Sequence, residues 1–155
     1  MTDIHAEYLA DARVDARMDT WLRQLLPTCF RKEQDHVFYR RRYFIEPYPH
    51  RWIIRADGGR PVAHLGILER RVASGGKRYR VGGICDVCVH PAHRRKGHVH
   101  RLLDAAHAWI RRKGYLFSLL FGNPEVYRSS GYEEALNLRI EQEGRNSLLA
   151  GIVWN

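Results

Sequence analysis

The sequence predicts an α/β fold, a mixed and mostly antiparallel sheet with a central parallel pair and flanking helices. Three observations predict it. The six residues ending in Val89 are mostly apolar and β-branched or small, which suits a buried strand, and Pro91 stops it because proline lacks the N–H that a continuing ladder needs. Beyond a basic turn, Val99, Leu102, Leu103, Ala106 and Ile110 recur at the spacing of one helix face, and the apolar run 116–121 then reads as an internal strand. A crossover helix between two such strands implies a locally parallel pair. On either side, short strand patterns meet at glycine-rich turns, which implies antiparallel hairpins.

Taken in order, residues 7–9 form a short first strand. Between Asp11 and Leu26, Val14, Met18, Trp21, Leu22 and Leu25 recur at helical spacing, and Pro27 is expected to stop that helix. A second helical stretch spans residues 33–43, until Pro47 and Pro49 break it, and the aromatic, proline-rich segment 43–49 reads as an ordered surface crossing. Trp52, Ile53 and Ile54 begin a strand, Asp57-Gly58-Gly59 turns it, and residues 62–72 pair with it. Ser74-Gly75-Gly76 turns the chain again into Tyr79-Arg80-Val81 and the buried strand. Gly114 ends the long helix, behind Arg111, Arg112 and Lys113, whose charges suit its C-terminal dipole. After a turn at Gly122-Asn123-Pro124 comes a short helix, 125–130, stopped by Gly131; strands 132–140 and 148–154 then close around a turn at 143–146.

A chain of 155 residues with 45% hydrophobic content suffices for one compact domain, read here as 1–155. No window approaches the roughly 18 apolar residues of a membrane span, and the first seven residues lack the charged start and apolar core of a signal peptide, so a soluble, cytoplasmic protein is expected. Cys29, Cys85 and Cys88 are odd in number, with two in an apolar strand, and read as reduced buried thiols. Cys85, Cys88, His90 and His93 stand at zinc-like intervals, but residues three apart in a strand point to opposite faces, so no metal is expected. His90, His93, His98 and His100 read instead as polar residues at a ligand mouth or in solvent. The net charge of +9 favours an anionic partner. Its basic residues are scattered in small clusters without a base-reading module, which weighs against nucleic acid.

The turn between strand and helix carries the chemistry. Arg94, Arg95, Lys96 and Gly97 sit where the first unpaired N–H groups of a helix point outward, an arrangement suited to an anion. The stretch 87–99, followed by Leu102-Leu103, resembles the acetyl-CoA motif of the GNAT-type N-acetyltransferases, Q/R-x-x-G-x-G/A after a V-x-P strand end. Arg94 and Gly97 match; Val99 stands where that pattern has Gly or Ala. A second piece, Asn123 through Tyr127 to Gly131-Tyr132, looks like the family's N-x-x-x-Y-x-x-x-G-F/Y signature, and the whole element order is similar to the GNAT fold.

The resemblance implies a central parallel pair splayed for CoA. Backbone groups of Val87, Cys88 and Val89 would bond the pantetheine like an added strand, and the pyrophosphate would rest on the turn of Arg94, Arg95, Lys96, Gly97, His98 and Val99. Tyr127 would protonate the departing thiolate. For the base, Asp86 and Glu69 both remain open; Asn123 would hold the pantetheine arm or cap the short helix. The activity implied is transfer of an acetyl group from acetyl-CoA to a small-molecule or peptide amine by direct attack. Alternatives are a different acyl-CoA or acyl carrier, or a non-catalytic CoA-binding or nucleic-acid-binding module. Arg40, Arg41 and Arg42 fall in the segment that walls the acceptor site in similar proteins, which would suit an acidic acceptor.

Overall fold

A computed structural model describes residues 4–136 and 147–152. In chain order the elements are β1 (Glu7–Ala10), α1 (Ala16–Cys29), β2 (His50–Arg55), β3 (Pro61–Ser74) and β4 (Lys77–Val89), then α2 (His98–Arg112) and β5 (Phe117–Gly122). The chain closes with α3 (Pro124–Tyr127), β6 (Tyr132–Leu136) and β7 (Ser147–Ile152). These build two compact units, Met1–Ile67 with Asp86–Ala105, and Leu68–Cys85 with Ala106–Asn155.

In the first unit β1, β2 and the start of β3 are antiparallel, with Glu7 opposite Ile53 and Trp52 opposite Leu65. The register slips after Ile54, beside the turn at Asp57-Gly58-Gly59 that the sequence predicts. Helix α1 begins at Asp15, whose carboxylate accepts the Met18 N–H at 2.7 Å, satisfying one of the orphan donors of the first turn. Met18, Leu22, Leu25 and Leu26 are its buried face, with Met18 and Leu22 packed on Ile53. Pro27 does not stop this helix, contrary to the reading above. The helix runs to Cys29 and closes with the Phe30 N–H on the Leu26 carbonyl at 2.8 Å. Proline removes only its own N–H from the ladder, and within the last turn little helix remains to be broken. The stretch read as helix over 33–43 is a shorter 3₁₀ segment, Glu33–Tyr39, held at its start by the Lys32 N–H on the Asp35 carboxylate at 2.9 Å.

In the second unit the outer part of β3, then β4, β5, β7 and β6 are neighbours in that order. The pair β4 and β5 is parallel, with Gly82, Gly83 and Ile84 opposite Ser118, Leu119 and Leu120, as the crossover helix requires. Ile110 of α2 packs against β4 at Gly82, where an added Cβ would lie 2.7 Å from the Ile110 Cδ1. Strand β5 is less internal than its apolar sequence suggests: Ser118 and Leu120 are buried, whereas Phe121 is 60% exposed. Strands β6 and β7 are antiparallel, and β7 also pairs antiparallel with β5. The turn at 143–146, residues 137–140 and the end of the last predicted strand lie outside the described residues. Among the described residues no helix is long and apolar enough to cross a membrane.

Candidate functional site

Within the first unit, β4 enters at Asp86, which has φ of 50°. A non-glycine residue in this left-handed region interrupts strand alternation and signals a local constraint. The constraint is visible in its partners. The Asp86 carboxylate accepts the Phe44 N–H at 3.1 Å and the Tyr48 hydroxyl at 3.0 Å, and its backbone carbonyl accepts the His64 Nδ1–H at 2.8 Å. Burial raises the Asp86 pKa, while its bonds to Tyr48 and Phe44 oppose the rise. His64 is completely buried, and burial lowers its pKa to about 3, helped by the nearby positive charge of Arg51, so it is the neutral imidazole. Its Nε2 faces the Tyr48 hydroxyl at 3.4 Å.

Tyr48 corrects the reading of segment 43–49 as a surface crossing, for it is 1% exposed and its hydroxyl also lies 3.0 Å from the Arg42 carbonyl. Room for its ring is made by Gly66, where a Cβ would stand 2.6 Å from the Tyr48 Cε2. Neither Tyr48 nor His64 was singled out from the sequence. The available signals were a histidine inside the apolar run 62–67 and a glycine in the middle of the same strand.

The arginine triplet is mostly occupied within the protein. Arg42 bonds Asp11 at 2.8 and 3.0 Å and Asp19 at 2.8 Å, and those carboxylates raise its pKa further. Arg41 donates to the Phe44 carbonyl and lies over the Tyr43 ring, whereas Arg40 is exposed. Arg51, fully buried, is paired with Asp11 and stacked 5.0 Å from the Tyr48 ring centroid. These pairings remove Arg42 as a docking point for an acidic acceptor.

After Val89 the chain turns by way of Pro91 into the basic loop. Arg94 donates from Nε to the Val89 carbonyl at 3.2 Å, fastening the loop to the strand end. Arg95 has φ of 59° and Gly97 φ of 75°. Successive left-handed and extended residues of this kind turn backbone N–H groups toward a common concavity, the shape that receives an anion. Helix α2 starts immediately afterwards, the Gly97 carbonyl accepting the Arg101 N–H at 3.1 Å, which sets the positive end of its dipole at the same turn. Arg95 and Lys96 are exposed there, and Val99 is half-buried. His98, the first helical residue, is not the solvent residue that the sequence allows: it is 4% exposed and burial lowers its pKa, although it still borders the cleft beside the turn. An open cleft of about 610 Å³ adjoins the turn, lined in part by Glu7, Arg55, Val62, His93, Lys96 and His98. Among the described residues no group of three His, Cys, Asp or Glu side chains is placed to hold a metal.

Glu69, Asn123 and Tyr127 belong to the second unit. Glu69 accepts the Tyr115 hydroxyl at 2.7 Å and lies 3.6 Å from Arg71; the Tyr115 bond is the main reason its pKa is lowered. A carboxylate so held is a weak proton acceptor. Asn123 caps α3, its side-chain oxygen accepting the Glu125 N–H at 3.0 Å. Tyr127 is half-buried at the end of α3, edge-on to Tyr132 with ring centroids 6.0 Å apart. Its ring covers Gly122, where a Cβ would be 2.6 Å from the Tyr127 Cε2. Beneath it the Tyr132 hydroxyl lies 2.7 Å from both the Ser118 hydroxyl and the His107 Nε2, a buried network that fixes the ring on which Tyr127 rests.

Comparison with known proteins agrees with this architecture. No curated protein has a matching sequence. Among solved structures, the Escherichia coli GNAT family N-acetyltransferase YhbS, determined in complex with CoA, superposes with a TM-score of 0.70 at 16% identity, covering 99% of this chain and 84% of that one. Escherichia coli ElaA gives 0.72 at 17% identity over 96% and 99% of the two chains. A conserved protein of unknown function from Enterococcus faecalis V583 gives 0.67 at 17% identity over 86% of this chain, which spans only 33% of that longer one. These likenesses establish the fold. The model of the acetyltransferase (GNAT) domain matches residues 14–135, more than three quarters of the chain and the whole of the stretch that carries the strand, the turn and the short helix, and the chain therefore belongs to the GNAT acetyltransferase family.

Proposed function

We propose that this protein transfers an acetyl group from acetyl-CoA to the amine of a small molecule or peptide, residues 1–155 acting as one acetyltransferase domain. The observation that carries the reading is the turn at the head of α2, where Arg95 and Gly97 adopt positive φ and a 15-residue helix begins at once. Such a site takes a pyrophosphate through backbone N–H groups and helix dipole together. The CoA bound by the Escherichia coli YhbS protein supports a CoA-derived acyl donor here. In this reading Val87, Cys88 and Val89 bond the pantetheine through their backbone, the N–H groups of Arg95, Lys96, Gly97, His98 and Val99 receive the pyrophosphate, and Arg94 holds the loop in place. Asn123 shapes the start of α3, and with it the position of Tyr127.

Chemically, the amine nitrogen attacks the thioester carbonyl, the C–S bond breaks, and two protons must move. Asp86 accepts the proton released by the nitrogen, directly or through a water, since its raised pKa brings it nearer neutrality than an exposed carboxylate. Tyr127 supplies the proton that the departing thiolate needs. Glu69, engaged by Tyr115 and Arg71, keeps a structural role in this scheme.

The test is binding followed by turnover. Millimolar CoA is expected to raise the melting temperature, because a ligand that binds only the folded state stabilises it. Thiol release from acetyl-CoA is then expected with one or more members of an amine panel. Unchanged melting at millimolar CoA would overturn the donor assignment, and thiol release that is faster with propionyl- or longer acyl-CoA would overturn the acetyl preference.

A further inference from the structure

Cys29 and Cys88 lie 59 positions apart in sequence, yet the fold brings them together in the first unit. Cys29 is the last residue of α1 and is half-buried. Cys88 is on β4, 7% exposed, in a core cluster with Leu25, Leu26 and Phe38 against which Cys29 packs. Both thiols are free, and they are near enough for a thiol–thiol hydrogen bond to bear on the titration of each. Cys85 is half-buried and belongs to the other unit.

We propose that Cys29 and Cys88 form an oxidisable dithiol that closes to an intramolecular disulfide and ties the end of α1 to β4. The two cysteines are unequal partners. The bond from Cys88 lowers the Cys29 pKa, with the Arg94 charge adding to it and burial opposing. The same bond and burial raise the pKa of Cys88. Cys29 is thus the more exposed thiol and the one with more thiolate character, the profile of an attacking cysteine, and Cys88 is the resolving one. With hydrogen peroxide as the oxidant, the Cys29 thiolate attacks one peroxide oxygen and breaks the O–O bond, giving a sulfenic acid and, after protonation, water. The Cys88 sulfur then attacks the Cys29 sulfur, forming S–S and releasing a second water, so two thiols lose two electrons to one peroxide. A disulfide brings the sulfurs to about 2 Å, closer than any hydrogen-bonded pair, so the last turn of α1 and β4 must draw together. That part of β4 is the segment which the functional reading gives to the pantetheine, but the disulfide itself does not depend on that reading.

The full chain would be treated with one equivalent of hydrogen peroxide per chain until the peroxide is consumed, alkylated, and mapped by mass spectrometry without reduction. The result expected is a monomer with two fewer titratable thiols, a single cross-link joining the Cys29 and Cys88 peptides, and a melting temperature several degrees above that of the reduced protein, since closing a long loop constrains the unfolded chain. Cys85→Ser should keep all three effects, and Cys29→Ser, which changes a half-buried position and spares the buried one, should abolish them while melting like the reduced wild type. Three thiols still titratable, a cross-link to Cys85, or a cross-link between two chains would overturn the proposal.

Discussion

Tyr127 owes its place to a side chain that is missing. Its ring occupies the space where a Cβ on Gly122 would lie 2.6 Å from Cε2, and Tyr132 closes the other side edge-on. Tyr127→Phe keeps the ring and deletes the donor, so melting and CoA affinity should stay level while turnover falls about 10²-fold, the lower end for general acid catalysis. Gly122→Ala should reduce turnover as well by pushing the ring aside, and adding it to Tyr127→Phe should cost little more, because both act through one hydroxyl. Full additivity in that double-mutant cycle would show that Gly122 acts on something other than Tyr127. At this scale the sequence was most informative where local spacing defines a backbone feature, as with Gly97 at the left-handed turn before α2 and Asn123 at the cap of α3. It was least informative for Tyr48, His64 and Arg51, whose burial depends on partners far along the chain: Tyr48 and Asp86 are 38 positions apart, Arg51 and Asp11 40. A polar side chain reads as solvated until its distant partner is known.

Among the elements, strands, turns and the long helix were legible because hydrophobic period and glycine position specify them locally. Their ends were less so. Pro27 is tolerated inside the last turn of α1, and the 3₁₀ segment Glu33–Tyr39 carries too few apolar positions to set a helical period. The turn before α2 allows a controlled test. Gly97 and Gly114 stand at opposite ends of that helix, both with positive φ, at 75° and 70°. A Cβ at Gly114 would meet nothing within 4 Å, and one at Gly97 only the tip of Arg101 at 3.4 Å. Alanine at either site should therefore destabilise by a similar amount, about 1 kcal/mol from left-handed strain, measured by urea unfolding. Only Gly97→Ala should also weaken CoA binding in a calorimetric titration. Equal CoA affinity in the two variants would place the phosphates away from this turn. Asp15→Ala offers a separate check on α1: loss of the cap on Met18 should cost about 1 kcal/mol, and Asp15→Asn much less, since asparagine keeps an acceptor oxygen.

For the molecule as a whole, acid should act through His64. Its folded pKa, about 3, lies below the 6.5 of an exposed histidine, so between those values the unfolded chain binds the additional proton. Stability is then full above pH 6.5 and declines as pH falls toward 3, by an amount on the order of 3–5 kcal/mol. Asp86 works in the opposite sense. With its folded pKa raised, protonation favours the native state as pH falls through that value, which partly offsets the loss. Urea midpoints measured from pH 7 to 4 should fall steadily in the wild type, and His64→Asn, which keeps a donor near the Asp86 carbonyl without a group that gains charge, should flatten the slope. An unchanged slope in the variant would assign the acid sensitivity to other residues.

The division of the chain into Met1–Ile67 with Asp86–Ala105, and Leu68–Cys85 with Ala106–Asn155, bears on how the protein is made. Each unit is assembled from two stretches, and the stretches alternate along the sequence. As the chain leaves the ribosome, residues 1–67 emerge with Tyr48 and His64 already present but without Asp86, the group that both of them bond. The first unit can complete its buried polar contacts only after the hairpin of the second has been synthesised, and it gains the opening turns of α2 only once residue 105 is out. Neither unit can be released by a single proteolytic cut or expressed as one uninterrupted fragment. Folding is thereby deferred to late translation, and a nascent chain arrested at residue 67 should remain protease-sensitive where one extended well past residue 105 gains protection in its first unit.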